Sequence, residues 1–416
     1  MAANDIRFIG GAVTAAQVTK FTVGGTVETD DLFILTVTGL DGKTCILSTA
    51  AGSTTPSTVA TNIATAWNAS TNTLLTPITA STSGADVILI GDVAGVGFNV
   101  AATTTEAGGG TADAQTFIEN LSGKVHPGGS YDWNTAANWD TGAVPGTLAD
   151  STVYVDNAII LYGLNQSAIA NTLTRLVIRG SQIGTNPAGG CLPVKLQIKG
   201  TAIDIGESFG PSTRTEGTPI LVDSGTTTST ITIHNSGTNS VSTNPAVWIK
   251  ANANTTKVIV KRGIVGIGWG DGETTTINAL DVLYVNQKAT DAQVFIGSGV
   301  TFSGASPAIT QKGGAVMLGS AIATITAEAG TLLTEGSGAI TTLTIKGCVV
   351  TSNSTGTITT ANVESGTLDT LKSNKTRTIT TIKINPGGVF KWNKAAVVVT
   401  NPFTSDSSVI LTGAAA

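Results

Sequence analysis

The stretch GAITTLTIKGCVVTSNSTGTITTANVESGTL, residues 338–368, contains the same short pattern twice. Ile-Thr-Thr begins at Ile340 and again at Ile358. Ile-Thr-Thr recurs downstream at Ile379, and upstream the related Ile-Ala-Thr begins at Ile322, so that the spacings are 18, 18 and 21 residues. The chain therefore contains a tandem repeat in this region, and the four isoleucines mark its equivalent positions.

Apolar residues recur at fixed offsets from these isoleucines. Three, five and ten residues on, the columns are Ile325, Leu343, Ala361 and Ile382; Ala327, Ile345, Val363 and Ile384; and Leu332, Val350, Leu368 and Val389. Between the last two columns come glycines, where we expect the chain to turn: Gly330, Gly347, Gly366 and Gly387. One coil cannot bury its own apolar column, whereas a stack buries a continuous one. We therefore predict a parallel β-solenoid with Ile inside, Thr outside and equivalent residues ~4.8 Å apart.

The alternative to a solenoid is an antiparallel sandwich whose strands share a Thr-rich composition. The high content of Ile, Val and Thr excludes a helical repeat, and four columns in register favour the solenoid. Segments such as KVIVKRGIVGIG and KLQIKGTAIDIG extend the strand, glycine, strand pattern upstream. We predict a mainly β chain with the solenoid over residues 161–416, and right-handed crossovers, which parallel β connections nearly always have.

The front of the chain has a different pattern. The segment PSTVATNIATAWNAS is typical of a helix, with Ser57 as a plausible N-cap after Pro56. Three apolar residues lie four positions apart along it: Val59, Ile63 and Trp67. Alternating strand patterns flank the helix on both sides. We predict a small α+β attachment module over residues 21–105, preceded by an arm over residues 1–20.

A glycine-rich run, EAGGGTADAQ, follows the module, and we predict a linker over residues 106–130. The next segment, YDWNTAANWDTGAVPGTLADSTVYVDN, contains Trp133 and Trp139. We interpret residues 131–160 as a cap in which the two tryptophans cover the open first coil, because the ends of solenoids need covering. The alternative interpretation is that the two rings are platforms for stacking sugars.

Two segments resemble known families. The order VGGTVETDDLFILTV, TVATNIATAWNAS and ITASTSGADVILIGDVAGVGFNV resembles a small module common in structural proteins of tailed bacteriophages. The tryptophan segment resembles the opening of repeats in β-solenoid surface proteins, including autotransporter passengers, and in phage-derived proteins with a Ser/Thr-rich solenoid. Autotransporter passengers have a signal peptide and a C-terminal barrel, and from MAANDIRFIGGAVTAA and VILTGAAA we expect neither. The phage resemblance implies a virion structural protein and brings no catalytic group with it.

Composition argues against several function classes. Charged residues make up 12% of the 416 residues, and the 22 Lys and Arg form no basic stripe of the kind that binds nucleic acid. No run approaches the ~18 apolar residues of a membrane span, so we expect no membrane partner. Cys45, Cys191 and Cys348 are far apart, and we interpret them as small buried side chains rather than disulfides or zinc ligands.

Candidates for catalysis are few. His126 and His234 each stand alone in the sequence, so we predict no metal site and no base for a serine nucleophile. Polysaccharide-cleaving spikes use paired carboxylates, for which the candidates are Asp271, Glu273 and Asp281. Acids beside glycine-rich corners are usually solvated turn residues. We therefore expect neither an enzyme nor a cofactor.

Together these patterns and resemblances lead us to expect a bacteriophage virion protein, assembled in the host cytoplasm. We expect a capsid decoration protein or head fibre that projects from the particle. Its expected partners are further copies of itself, as a homotrimer, and the major capsid protein or another virion protein. Two alternatives stay open: a tail fibre or tailspike that binds host surface glycan, with or without cleaving it, and a bacterial surface adhesin.

Overall fold

The computed structural model describes residues 4–38, 43–107, 114–125, 127, 129–183, 195–206, 220–236, 245–268, 274–283, 292–304, 307–401, 404–405 and 411–413. The chain divides into two compact units. Gly10–Asn138 is the N-terminal unit, and Met1–Ile9 with Trp139–Ala416 forms the rung unit. Strands dominate both units.

The elements before residue 140 are β1 (Asn4–Arg7), β2 (Val18–Gly25), β3 (Leu32–Thr38), β4 (Thr44–Ala50), α1 (Pro56–Asn68), β5 (Ile78–Ser83), β6 (Asp86–Gly91), β7 (Asn99–Thr105), β8 (Gln115–Val125) and 3₁₀ turns at Gly129–Tyr131 and Ala136–Asn138. From residue 140 to 283 the strands are β9 (Ser151–Asp156), β10 (Ile159–Ile160), β11 (Asn165–Gln166), β12 (Leu173–Arg179), β13 (Gln182–Ile183), β14 (Lys195–Ile198), β15 (Gly200–Ile205), β16 (Ile220–Asp223), β17 (Thr230–Ile233), β18 (Val247–Lys250), β19 (Lys257–Val260), β20 (Gly263–Ile267), β21 (Thr275–Ile277) and β22 (Ala279–Val282). The remaining strands are β23 (Ala292–Ile296), β24 (Val300–Phe302), β25 (Ile309–Gln311), β26 (Ala315–Leu318), β27 (Ile322–Ala327), β28 (Thr331–Thr334), β29 (Ile340–Ser352), β30 (Ile358–Asp369), β31 (Arg377–Ile384), β32 (Gly388–Trp392), β33 (Val397–Val399), β34 (Thr404–Ser405) and β35 (Leu411–Gly413).

The N-terminal unit contains two antiparallel sheets and one helix. The sheets have the strand orders β5-β6-β2-β8 and β4-β3-β7. Alternate residues of β2, β3 and β6 are buried, as the period of two in a half-buried strand requires. The apolar face of α1 joins the same core: Val59, Ile63 and Trp67 are at most 1% exposed. The Trp67 indole Nε1 also donates a hydrogen bond to the Ile78 carbonyl oxygen at 2.7 Å, which fixes the helix against β5. Within the described part of the chain, no helix is long and apolar enough to cross a lipid bilayer.

The helix begins earlier than the sequence analysis predicts. Its N-cap is Thr55 rather than Ser57, and Pro56 is the first helical residue. Proline suits this position because its ring fixes φ near the helical value and the N–H that it lacks would have no partner there. The Thr55 carbonyl oxygen accepts hydrogen bonds from the backbone N–H groups of Thr58 and Val59.

Two of the strands lie in segments that the sequence predicts to be an arm and a linker. β8 lies in the segment 106–130 that the sequence indicates as a linker, yet it pairs antiparallel with β2. Phe117 of β8 is 6% exposed, and its ring centroid lies 5.6 Å from those of Phe21 and Phe33. The glycine-rich run directly before this strand is typical of a linker, which is why the sequence does not indicate a strand here. β1, within the expected arm 1–20, pairs in parallel with β9.

The rung unit is a long parallel sheet that consists of two columns of stacked strands. One repeat of the chain, here called a rung, contributes to both columns. The first column contains β1, β9, β12, β15, β17, β19, β22, β25, β27, β29, β30, β31 and β33. The second column contains β11, β14, β16, β18, β20, β23, β26, β28, β29, β30, β32 and β35. All of these pairings are parallel, and β29 and β30 run through both columns. The arrangement is consistent with the predicted β-solenoid and does not fit an antiparallel sandwich.

The register of the late rungs confirms the repeat. Ile322 pairs with Ile340, Ile340 with Ile358, and Ile358 with Ile379. All four side chains are 5% exposed or less, so this isoleucine column is inside. On the same rungs a threonine column is in register and partly exposed: Thr324, Thr342, Thr360 and Thr381.

One column position predicted from the repeat is wrong. Leu368 pairs with Phe390 rather than Val389, and Phe390 is fully buried. The corner from Ile384 to Gly388 is one residue longer than the equivalent corner from Val363 to Gly366, with which it is aligned. A fixed offset of ten residues therefore points to the wrong neighbour on this rung.

Candidate functional site

Of the three candidate acids for glycan cleavage, only Asp281 lies within the described residues. Asp281 lies on β22, in register with Ile259 of β19. Its carboxylate Oδ2 lies 2.7 Å from the Lys257 ammonium nitrogen on the preceding rung. Asp271 and Glu273 lie outside the described residues. The structure therefore shows Asp281 as one half of an ion pair between rungs.

His234 is not isolated, contrary to the sequence analysis. Its ring Nε2 lies 2.8 Å from the Asp204 carboxylate, and its Nδ1 lies 3.3 Å from the Lys261 ammonium nitrogen. Asp204 in turn accepts a hydrogen bond from the Arg175 Nε at 2.7 Å. These four residues belong to four successive rungs of the first column, at or directly after β12, β15, β17 and β19. The repeat of the fold brings together residues 27 to 30 positions apart, which sequence spacing alone does not reveal. His126 lies outside the described residues.

This network, here called the charged ladder (Arg175, Asp204, His234 and Lys261), links four successive rungs. With Asp204 as an acceptor, His234 donates through Nε2, and its Nδ1 then accepts from Lys261. Both ring nitrogens therefore have partners on the neighbouring rungs. Asp204 is 8% exposed, which makes its ion pair with Arg175 and its hydrogen bond with His234 stronger than those of a solvated carboxylate.

A pocket of about 240 Å³ lies beside the second column. Its polar lining includes Gln197, Lys199 and Asp223. Asp223 is the one carboxylate among the lining residues. Its Oδ1 accepts from the Gly225 N–H at 2.9 Å and its Oδ2 lies 3.7 Å from the Lys195 ammonium nitrogen. The pocket therefore offers polar contacts to a small ligand, and its described lining residues do not include the two carboxylates of a glycosidase.

The two tryptophans are buried and lie in different units. Trp133, in the N-terminal unit, is 0% exposed, and Trp139, in the rung unit, is 1% exposed. The Trp139 ring packs edge-on against Phe8, with centroids 5.0 Å apart, directly after the outermost strand β1. Neither indole presents an open face, so the structure does not favour the sugar-stacking interpretation.

The described cysteines are free thiols in different environments. Cys348 is buried, and burial raises the pKa of its thiol to about 12. A backbone hydrogen bond lowers this pKa by a smaller amount. Cys45 is partly exposed. The interpretation as a small buried side chain fits Cys348 and only partly fits Cys45. Cys191 lies outside the described residues.

One cluster was missed by the sequence analysis. In the N-terminal unit, the carboxylate oxygens of Glu28, Asp30 and Glu106 lie within 4.8 Å of one another. The pKa of Glu106 is raised, first by burial and next by the charge of Asp31. The signal in the sequence is the run Glu-Thr-Asp-Asp directly before a strand, but its partner lies more than 70 residues further on.

Comparisons of this chain with protein-family models, with curated proteins and with solved structures found no match.

Proposed function

We propose that this protein is a structural component of a bacteriophage virion, a capsid decoration protein or head fibre that projects from the particle. The observation that supports it best is the register of the rung unit. Ile340, Ile358 and Ile379 stack in neighbouring rungs, buried and hydrogen-bonded strand to strand. A stack of this kind makes a stiff, protease-resistant spacer, and we take its crossovers to be right-handed.

The N-terminal unit suits attachment. It has its own hydrophobic core around Trp67 and Phe33, which are 1% exposed, so it is a compact unit in its own right. Its strand β8 leaves Ile118 and Leu121 63% and 69% exposed. Apolar side chains this exposed are available to a partner protein. We propose that this unit binds the major capsid protein or another virion protein and that the protein acts as a homotrimer.

Cryo-electron microscopy tests the location of the protein directly. Particles assembled in the host with and without the gene are compared, and we expect density on the capsid lattice that is lost in the deletion. Difference density on the tail alone contradicts the decoration role. No difference in either place contradicts the virion assignment altogether.

The second candidate is a tail fibre or tailspike that binds host surface glycan, and the pocket beside Asp223 favours it. A glycan array with the purified protein tests this role, with Lys199→Ala as the pocket variant. The matched control is Lys346→Ala, an exposed lysine on a late rung. A binding signal that is lost only in Lys199→Ala supports the glycan role. Equal signals in the two variants would show that the pocket does not bind the glycan.

A further inference from the structure

We propose that the N-terminal unit binds one calcium ion through the carboxylates of Glu28, Asp30 and Glu106, with the buried carboxylate of Asp31 beside them. Glu28, Asp30 and Glu106 each place one carboxylate oxygen within 4.8 Å of the other two. Two oxygens that bind one calcium ion at ~2.3–2.6 Å lie at most about 5 Å apart. The observed spacing therefore fits a shared ion with little movement of the side chains.

The fold brings these acids together. Leu32 begins β3 and pairs with Thr105, the last residue of β7, in an antiparallel register. The residues just outside this pair, Asp31 and Glu106, are therefore neighbours across the two strands. The turn that contains Glu28 and Asp30 leads into β3. The Ala51 N–H donates to the Asp31 carbonyl oxygen at 2.8 Å, which holds the end of this turn against the end of β4.

A second observation, independent of the cluster, points to a cation. Asp31 is 0% exposed, and its Oδ2 accepts from the Glu28 N–H at 2.7 Å. Its Oδ1 is buried without a hydrogen-bond donor, and so is Glu106 Oε1, in the part of the chain that the structure describes. The two residues are neighbours at the paired ends of β3 and β7, and both side chains are acceptors when ionised. Burying an ionised carboxylate without a counter-charge is costly, and a bound cation removes that cost.

The donor set favours calcium among common cations. All three ligands offer carboxylate oxygen, whereas structural zinc sites use mainly sulfur and nitrogen. Magnesium requires near-ideal octahedral geometry and usually keeps several waters, while calcium accepts six to eight oxygens in flexible geometry. Asp30 is exposed and Glu28 and Glu106 are partly buried, so water can complete the shell. We expect a dissociation constant of about 10⁻⁵–10⁻³ M, between the weakest sensor sites and the extracellular modules.

The competing explanation is a proton shared between Asp31 and Glu106. Isothermal titration calorimetry of the full-length chain, stripped with EDTA and titrated with CaCl₂, separates the two. We expect one ion per chain in the wild type and at least tenfold weaker binding in Asp31→Asn and Glu106→Gln. The matched control is Glu119→Gln, which removes the same charge in the same unit at a pair with Lys124 and should bind as the wild type does.

Thermal unfolding in EDTA and in CaCl₂ supplies a readout that does not depend on heat of binding. Calcium should raise the melting temperature of the wild type and of Glu119→Gln, because a ligand of the folded state stabilises it. In EDTA, Glu106→Gln should melt at or above the wild type, since the repulsion between two carboxylates is gone, and it should gain little from calcium.

Three results would overturn the proposal: a wild type that neither binds nor is stabilised by calcium, equal loss of binding in Glu119→Gln, or equal affinity for MgCl₂. The first result, together with a Glu106→Gln that is more stable in both buffers, identifies the shared proton instead. The inference concerns the N-terminal unit alone and does not depend on the virion role.

Discussion

Ile358 lies in register with Ile340 on the preceding rung, and both side chains are 2% exposed. Each rung of the repeat therefore buries its isoleucine against the next one, and the column as a whole forms the core. A defect in one rung removes contacts on two sides.

Replacing Ile358 by alanine should lower the free energy of unfolding by about 2–5 kcal/mol, because it leaves a cavity inside the column. Thr359→Ala is the matched control, since Thr359 is the adjacent residue and is exposed; its effect should stay within about 0.5 kcal/mol. Denaturant unfolding monitored by circular dichroism measures both. Similar values for the two variants would contradict the buried column.

Gly366 and Gly387 occupy the same corner on successive rungs with φ of +85° and +88°. Alanine at either position should cost about 1–2 kcal/mol for the left-handed backbone alone. At Gly366 a Cβ would also lie 2.5 Å from the Cys348 carbonyl oxygen, whereas at Gly387 it meets nothing within 4 Å. We expect Gly366→Ala to be clearly more destabilising in the same unfolding assay, and the reverse order would contradict the stacking of these corners.

Two ion pairs between rungs should differ in strength. Asp204→Ala leaves Arg175 and His234 without their buried acceptor and should destabilise the protein by about 1–3 kcal/mol. Asp281→Ala removes a more exposed pair, in which Asp281 and Lys257 are 24% and 42% exposed, and should cost about 0–1 kcal/mol. Double-mutant cycles with Arg175→Ala and Lys257→Ala isolate the pairwise energies. A coupling near zero for Asp204 with Arg175 would show that the charged ladder does not stabilise the fold.

The thiol of Cys348 should resist alkylation in the folded protein. Burial raises its pKa from 9.0 to about 12, so at pH 8 almost no thiolate is present and the sulfur is covered. Mass-spectrometric peptide mapping after iodoacetamide treatment should find Cys45 modified in the native state and Cys348 modified only in denaturant.

The raised pKa of Cys348 also predicts that the stability of the fold depends on pH. A thiol whose pKa is raised in the folded state stabilises that state at low pH, and this contribution is lost as the pH rises from 9 towards 12. Cys348→Ala should flatten the loss of stability over this range, and an unchanged pH profile would argue against a buried neutral thiol.

The repeat made much of the rung unit predictable from sequence. Because equivalent residues of a stack occupy the same position in every rung, spacing alone predicts that Ile340 pairs with Ile358. A fixed spacing does not hold at Val389, where a corner one residue longer shifts the register to Phe390. The helix starts before Ser57, because the preference of Pro56 for the first helical position outweighs the preference of a serine for the N-cap.

The sites were far less predictable than the fold. His234 appeared isolated because its partners, Asp204 and Lys261, lie 30 and 27 residues away on other rungs. The cluster around Glu106 required the register of β3 and β7, which no local pattern contains. The spacing of apolar residues predicts which side chains of a strand are buried. A polar site depends instead on which strands, distant in sequence, become neighbours in the fold.

β29 and β30 are single strands of 13 and 12 residues that pass through both columns, whereas the rungs just before them use two separate strands. Opening either column at these rungs must therefore disrupt hydrogen bonds in the other, so the two columns cannot fray independently there. We expect the amides of these strands to exchange with solvent as one cooperative block, and more slowly than those of the rungs made from separate strands.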